Sequence, residues 1–253
     1  MRADDLLKNI ELFPHQLRAI ESCIKHPATA LLMEQRTGKT PPTIATMGYR
    51  YLKGQIKKVL IIAPLTVLSE WQRQIKQYAA FRYSLTTLSG SALHCSYVVD
   101  GWKLRPGLNI ILVNYDKLPQ IKIALGDWEP DLVICDESHL IKNIRARRTK
   151  AIIYVRGNCP YRMALTGTPM SRGPVDFFGQ YSFLDDRILG TSLRAFERRY
   201  VIKKGLYQKI VGAKNEEELA RKLHAISFRV RKKDVAYIPF EDRVLDEIGR
   251  AHV

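Results

Sequence analysis

Cysteine is scarce and scattered: the 253 residues hold four, at Cys23, Cys95, Cys135 and Cys159. None forms a Cys-x-x-Cys pair and no histidine stands at ligand spacing, so neither a zinc site nor a disulfide framework is expected, and the compartment reads as reducing. Long apolar runs are missing as well. The longest, residues 59–68, is interrupted by Pro64, whereas a membrane-spanning helix needs about 20 apolar residues. The opening MRADDLLKNIELF carries two acids where a secretory leader needs bases followed by an apolar stretch, so no membrane partner is expected. No internal repeat or low-complexity linker marks a second domain. Acidic residues are in deficit too, 25 against 41 lysines and arginines, for a formal charge of +16. That imbalance favours a polyanionic partner such as nucleic acid, with a merely solvated basic surface as the plainer alternative.

What is present is enough apolar material, 46% of residues, to bury the core of one large α/β domain. Periodicity predicts a helix over residues 14–25, with Pro14 in its first turn and Leu17, Ile20 and Ile24 on one face. Short apolar segments at 28–33, 59–63, 109–113, 132–135 and 162–165 read as strands buried on both faces of a parallel sheet. A helix over 69–78 opens with Ser69 and Gln72 at capping-box spacing and puts Trp71, Ile75 and Tyr78 on its buried face. The repeated strand, loop and helix give a doubly wound parallel sheet, in which ligands bind at the carboxyl ends of the strands. Residues 1–170 form that lobe. Residues 171–246 are looser, with a helix near 216–227 and the basic, strand-like FRVRKKDV, and read as a small helical and basic appendage.

Short strings stand at the strand ends. LLMEQRTGKT (residues 31–40) follows a strand and opens a helix, so the amides of Gly38, Lys39 and Thr40 face phosphate oxygens where the helix dipole favours negative charge. Lys39 is then suited to neutralise β and γ phosphates and Thr40 to place its hydroxyl on Mg²⁺. An ordinary turn stays open as an alternative, because Met33 stands where the pattern GxxxxGK[ST] has its first glycine. In DESH (136–139), two adjacent carboxylates at a strand tip are better explained by a metal than by structure. Asp136 would hold Mg²⁺, mostly through water, and Glu137 would orient and deprotonate the attacking water. A solvated acidic turn is the competing reading, and His139 alone reads either way. In LTGTP (165–169) the hydroxyls of Thr166 and Thr168 are placed to bond the DESH segment, unless they simply make a turn closed by Pro169. Ahead of the first strand, Phe13 can stack on an adenine and Gln16 can hydrogen-bond its edge. Basic clusters at 53–58, 145–150, 194–204 and 229–233 suit a phosphate backbone, or else a solvated face.

In their order, these strings and the LIIAPL segment (60–65) resemble helicase superfamily two, and within it the Swi/Snf-like ATPases of phage and bacterial type. The resemblance covers nearly the whole chain and is carried by LFPHQLRAI, IIAPLTVLSEWQRQI, DLVICDESHLIKN, YRMALTGTPMSRGPVDFFGQYSFLD and LRAFERRYV. Trp71 and Asn143 are its most telling branch markers. The resemblance implies a RecA-like lobe of the P-loop NTPase class that uses ATP and Mg²⁺. It implies Phe13 and Gln16 at the adenine, Arg36, Thr37, Gly38, Lys39 and Thr40 at the phosphates, and Thr40 with Asp136 at the metal. Lys39, Asp136 and Glu137 would be catalytic, while His139, Thr166 and Thr168 would couple hydrolysis to DNA. Pro64, Leu65, Asn114, Tyr115, Lys142 and Asn143 would lie near the tracked strand. Duplex DNA is the implied partner, in a bacterial or phage-infected cytoplasm, with a second helicase lobe completing the ATP site through an arginine finger.

Several features depart from the pattern. Arg36 stands where the family commonly has a small residue, Pro41 and Pro42 follow Thr40 and supply no amides, and Ser138 replaces the usual Ala of DEAH. No second lobe is evident, and residues 247–253, EIGRAHV, resemble what one frame of a sequencing adapter encodes. The natural frame is therefore expected to continue past about Asp246. Two rival readings remain open at this point: a nucleotide- and DNA-binding module that acts by occupancy, and an RNA-directed helicase.

Overall fold

The apolar segments assemble into a seven-stranded sheet of order β3-β4-β2-β5-β6-β1-β9, parallel throughout. The computed structural model describes residues 6–102, 105–170, 173–205 and 209–235; the tail at 247–253 lies outside them. The strands are β1 (Ala28–Met33), β2 (Lys58–Ala63), β3 (Tyr83–Thr87), β4 (Leu108–Asn114), β5 (Leu132–Asp136), β6 (Tyr161–Thr166) and, after an antiparallel hairpin of β7 (Val201–Lys204) and β8 (Lys209–Ala213), β9 (Ser227–Val230). The helices are α1 (Pro14–Lys25), α2 (Thr40–Leu52), α3 (Leu68–Tyr78), α4 (Ala92–Gly101), α5 (Leu118–Asp127), α6 (Arg147–Arg156), α7 (Val175–Leu184), α8 (Asp186–Leu189), α9 (Leu193–Tyr200) and α10 (Glu216–His224).

Strand pleat sorts the core into two layers, because successive side chains point to opposite faces. Val59, Ile61, Ile110, Leu112, Leu132 and Ile134 face α1, α2 and α3. Their neighbours Leu60, Ile62, Ile111, Val113, Val133 and Cys135 face α4, α5, α6 and α7. Both faces are covered, which is why these strands are near-continuous apolar runs. All four cysteines are buried free thiols. No helix among the described residues is long and apolar enough to cross a membrane.

Three expectations change. The buried face of α1 is His15, Gln16, Ala19, Ile20 and Cys23, while Leu17 is 41% exposed. The helix turns its polar pair inward because both find acceptors in the loop after β1, a gain that hydrophobic periodicity does not weigh. The capping box of Ser69 and Gln72 does not form: a 3₁₀ turn, Leu65–Val67, runs directly into α3, whose N-cap is Val67. Ser69 is therefore already inside the helix, and Gln72 Nε2 donates to Thr87 Oγ1 at 2.6 Å instead. Finally, the basic FRVRKKDV segment is only partly an appendage, because β9 pairs with β1, Ala30 with Ser227 through Met33 with Val230. The edge strand β3 went unrecognised since its residues are all only half-buried.

Arg50 fastens α1 to α2. Its Nη2 donates to the carbonyls of Cys23 at 2.7 Å and His26 at 3.0 Å, Nη1 donates to Gln55 Oε1 at 3.0 Å, and the guanidinium lies 3.8 Å from the Tyr161 ring centroid. Those carbonyls end α1 and have no intrahelical partner. Burial pushes the Arg50 pKa down, with the tyrosine and thiol neighbours opposing it. Arg50→Ala is expected to lower stability by about 3 kcal/mol, since charged hydrogen bonds are lost and buried carbonyls are left unpaired; chemical denaturation measures it.

Candidate functional site

Adjacent strands β5, β6 and β1 bring three chain segments to one carboxyl edge. Asp136 pairs in register with Leu165, and Thr166 with Leu32, so the DESH segment, the threonine loop and the loop after β1 lie side by side. Among these, Gly167 touches the loop after β1 directly: a Cβ there would stand 3.0 Å from the Gln35 amide nitrogen.

The loop after β1 is tied down at both ends. Glu34 N–H donates to the Val230 carbonyl at 3.0 Å, and Thr37 Oγ1 donates to the Glu34 carbonyl at 2.7 Å. Arg36 and Gly38 take φ of 67° and 73°, which is left-handed and costly for arginine. His15 Nε2 lies 2.9 Å from the Thr37 carbonyl, so that nitrogen carries the proton. Gln16 Nε2 donates to the Gly38 carbonyl at 3.0 Å and Gln16 Oε1 accepts from Phe13 N–H at 2.9 Å. One amide hydrogen and one lone pair of Gln16 remain for a base edge, and Phe13, stacked 5.8 Å from His15, is exposed beside it. Lys39 Nζ donates to the Met33 carbonyl at 3.3 Å. Pro41 and Pro42 sit in the first turn of α2, where an amide has no intrahelical acceptor, so the helix tolerates them.

Asp136 is buried and held from three sides. Its Oδ2 accepts from Trp71 Nε1 at 2.9 Å, its Oδ1 from Glu137 N–H at 2.9 Å, and its carbonyl from Tyr115 Oη at 2.6 Å. Burial raises its pKa; the Trp71 bond opposes that, Glu137 adds to it and Lys39 opposes it. Glu137 occupies the left-handed region, φ 50° and ψ 51°, and its Oε2 lies 3.2 Å from His139 Nδ1. That ring nitrogen is 3.4 Å from Thr166 Oγ1, which also accepts from Thr168 N–H at 3.1 Å. Thr168 thus joins the network through its amide. Ser138 has a partner that an alanine would lack: its Oγ donates to Gln180 Oε1 at 2.8 Å, and Gln180 Nε2 donates to the Pro169 carbonyl at 2.8 Å.

The residues assigned to a tracked strand separate. Leu65 is 70% exposed beside Pro64, whereas the Tyr115 side chain is 2% exposed with its hydroxyl on Asp136, so it supports Asp136 and offers no free side-chain surface. Asn114 Oδ1 accepts from Lys117 N–H at 2.7 Å and Asn143 Oδ1 from Arg145 N–H at 2.9 Å, each closing a local turn. Lys142 Nζ stands 3.7 Å from Asp176 Oδ2. Of the basic clusters, 53–58 leads into β2 at the opposite edge of the sheet, where the Lys57 and Lys58 amides donate to Asp131 Oδ2. In 194–204, Arg199 pairs with Glu218 and Lys203 with Glu197. The 145–150 and 229–233 clusters begin or end at the site edge, the latter through Lys232 N–H on Glu34 Oε2 at 2.9 Å.

Among the described residues no group of three or more His, Cys, Asp or Glu gathers as a metal site. A Mg²⁺ ion needs no such group, since it takes one or two protein oxygens and completes its shell with phosphates and water, and the Asp136 carboxylate keeps lone pairs beyond its bonds from Trp71 and Glu137. The interactions missed in the sequence, Trp71 and Tyr115 on Asp136 and Ser138 on Gln180, join residues 65, 21 and 42 positions apart; the only signal was that Trp71 and Ser138 stand inside the motif strings.

A parallel sheet with a lysine-bearing loop after its first strand, paired acids after a second and a threonine loop between them defines a RecA-like P-loop ATPase lobe. The chain belongs to the SNF2-related domain family, which it matches over residues 18–244. It is similar to the SWI2/SNF2 ATPase core of Sulfolobus solfataricus solved with double-stranded DNA, with TM-score 0.74 and 25% identity, covering 94% of this chain and 48% of that one. Among curated proteins it is 28% identical over 149 residues to the human DNA repair and recombination protein RAD54B, covering 58% of this chain and 16% of that protein. It is also 32% identical over 173 residues to putative protein p41 of Acyrthosiphon pisum secondary endosymbiont phage 1, covering 64% and 37%. The chain thus spans well under half the length of these curated relatives.

Gly38→Ala should disturb the site, because its φ is left-handed and the new Cβ would stand 2.4 Å from Gln16 Nε2. The expected cost is about 1–2 kcal/mol in thermal or chemical unfolding, together with weaker adenine-nucleotide binding. Adding Gln16→Ala should recover part of the stability but not the binding.

Proposed function

We propose that this lobe binds Mg²⁺·ATP and duplex DNA and forms half of an ATP-driven translocase acting in a bacterial or phage-infected cytoplasm. The observation that carries the reading is the convergence of Lys39, Asp136–Glu137 and Thr166 on one sheet edge in a chain of the SNF2-related family. Lys39 and the amides of Gly38 and Thr40 would hold the phosphates, Thr40 and Asp136 would hold the metal, and Glu137 would orient the attacking water. When bound, Mg²⁺ supplies charge neutralisation to the phosphates. His139 would carry the state of Glu137 to Thr166 and the threonine loop. A second lobe, from the same chain or a partner, would contribute the arginine that completes the site. Loss of such an arginine costs about 10³–10⁵ in rate, so this chain alone should bind ATP and turn it over slowly.

The test is ATP hydrolysis by a form carrying both lobes, with duplex DNA, single strands or RNA added. Stimulation greatest with duplex DNA is expected, and Lys39→Ala or Glu137→Gln should abolish it while leaving the fold intact by circular dichroism. Unchanged turnover in either variant would sink the mechanism, and stimulation by RNA alone would favour the RNA-directed reading. The loss of two amides at Pro41 and Pro42 keeps one rival in view, a module acting by occupancy; any DNA-stimulated hydrolysis excludes it.

A further inference from the structure

Trp71 lies on α3, far in sequence from the paired acids, yet its indole Nε1 donates to Asp136 Oδ2 at 2.9 Å inside the buried layer. An indole nitrogen can only donate, so this contact is made to an oxygen that accepts. It is not the default for this chain: Trp102 and Trp128 bury their Nε1 atoms without any partner among the described residues. A tryptophan retained only to fill volume would need no such bond. Behind the carboxylate, Tyr115 Oη donates to the Asp136 carbonyl at 2.6 Å, and Glu137 N–H donates to Oδ1 at 2.9 Å. Main chain and both carboxylate oxygens are therefore fixed, and a carboxylate with about four acceptor positions retains free lone pairs for other ligands.

We propose that Trp71 is a positioning residue: its indole N–H orients the Asp136 carboxylate for Mg²⁺, with Tyr115 anchoring the backbone behind it. This rests on the Mg²⁺·nucleotide reading above. Groups that orient a ligating carboxylate typically change metal affinity by about 10–100-fold when removed. Phenylalanine at 71 keeps most of the ring volume and deletes the donor, and phenylalanine at 115 deletes one oxygen.

The test uses this chain and a fluorescent adenine nucleotide, titrated first in EDTA and then across Mg²⁺ concentrations. Trp71→Phe should raise the Mg²⁺ needed for half-saturation about 10-fold while the affinity in EDTA stays unchanged. Tyr115→Phe should shift it in the same direction by less. With unlabelled nucleotide bound, Mg²⁺ should also alter tryptophan emission in the wild type and not in Trp71→Phe, since Trp102 and Trp128 remain in both. An unchanged Mg²⁺ midpoint overturns the proposal, as does an equal fall of affinity with and without Mg²⁺, which would mark Trp71 as packing alone. If Trp71→Phe fails to fold, the Tyr115→Phe split decides. A wild-type chain that binds no nucleotide under either condition would instead overturn the nucleotide reading itself.

Discussion

Everything at the site depends on the placement of one buried carboxylate at the end of a parallel strand. Desolvation disfavours its charge, and the chain answers with an indole, a backbone amide and the nearby Lys39. A charge taken out of water is costly unless hydrogen-bonded or paired, and these donors offset part of that cost for the Asp136 carboxylate. They also tie it to α3 through Trp71 and to the end of β4 through Tyr115. The segments that lead into those two elements carry the exposed Leu65 and the turn-forming Asn114.

The second constraint is the adjacency of β5, β6 and β1. Parallel pairing sets all their carboxyl ends at one edge, and register brings Thr166 within one residue of both partners. The threonine loop then lies against both the DESH segment, through His139, and the loop after β1, through Gly167. Thr166 and Gly167, adjacent in the chain, thus face one neighbour each. Gln180 extends this contact into α7, holding Ser138 and the Pro169 carbonyl at once. Serine in place of alanine therefore adds a bond to the segment that carries both acids.

Much of this was legible along the chain. The apolar runs gave β1, β2, β4, β5 and β6 nearly to the residue, because strands buried on both faces are almost uninterrupted by polar side chains. The loop after β1, Asp136, Glu137 and Thr166 could be placed at strand ends because each follows such a run. Legibility failed where burial was not apolar. His15 and Gln16 turned α1 by bonding loop carbonyls, Tyr115 hid beneath Asp136, and β3 was too evenly half-buried to stand out. It also failed for charge: the run at 53–58 looks like any other basic cluster until the sheet shows which edge it occupies.

The sequence by itself determined the fold class, the order of the elements and which motif residues stand at the strand ends of the candidate site, since periodicity and local motifs are properties of neighbouring residues. Only the tertiary structure decided which side chains hold Asp136, which basic clusters share an edge with it, and that β9 returns to pair with β1. Those are contacts between residues far apart in the chain, chosen by strand order and by the hydrogen bonds that buried polar groups such as Gln16 and Asp136 find across the fold.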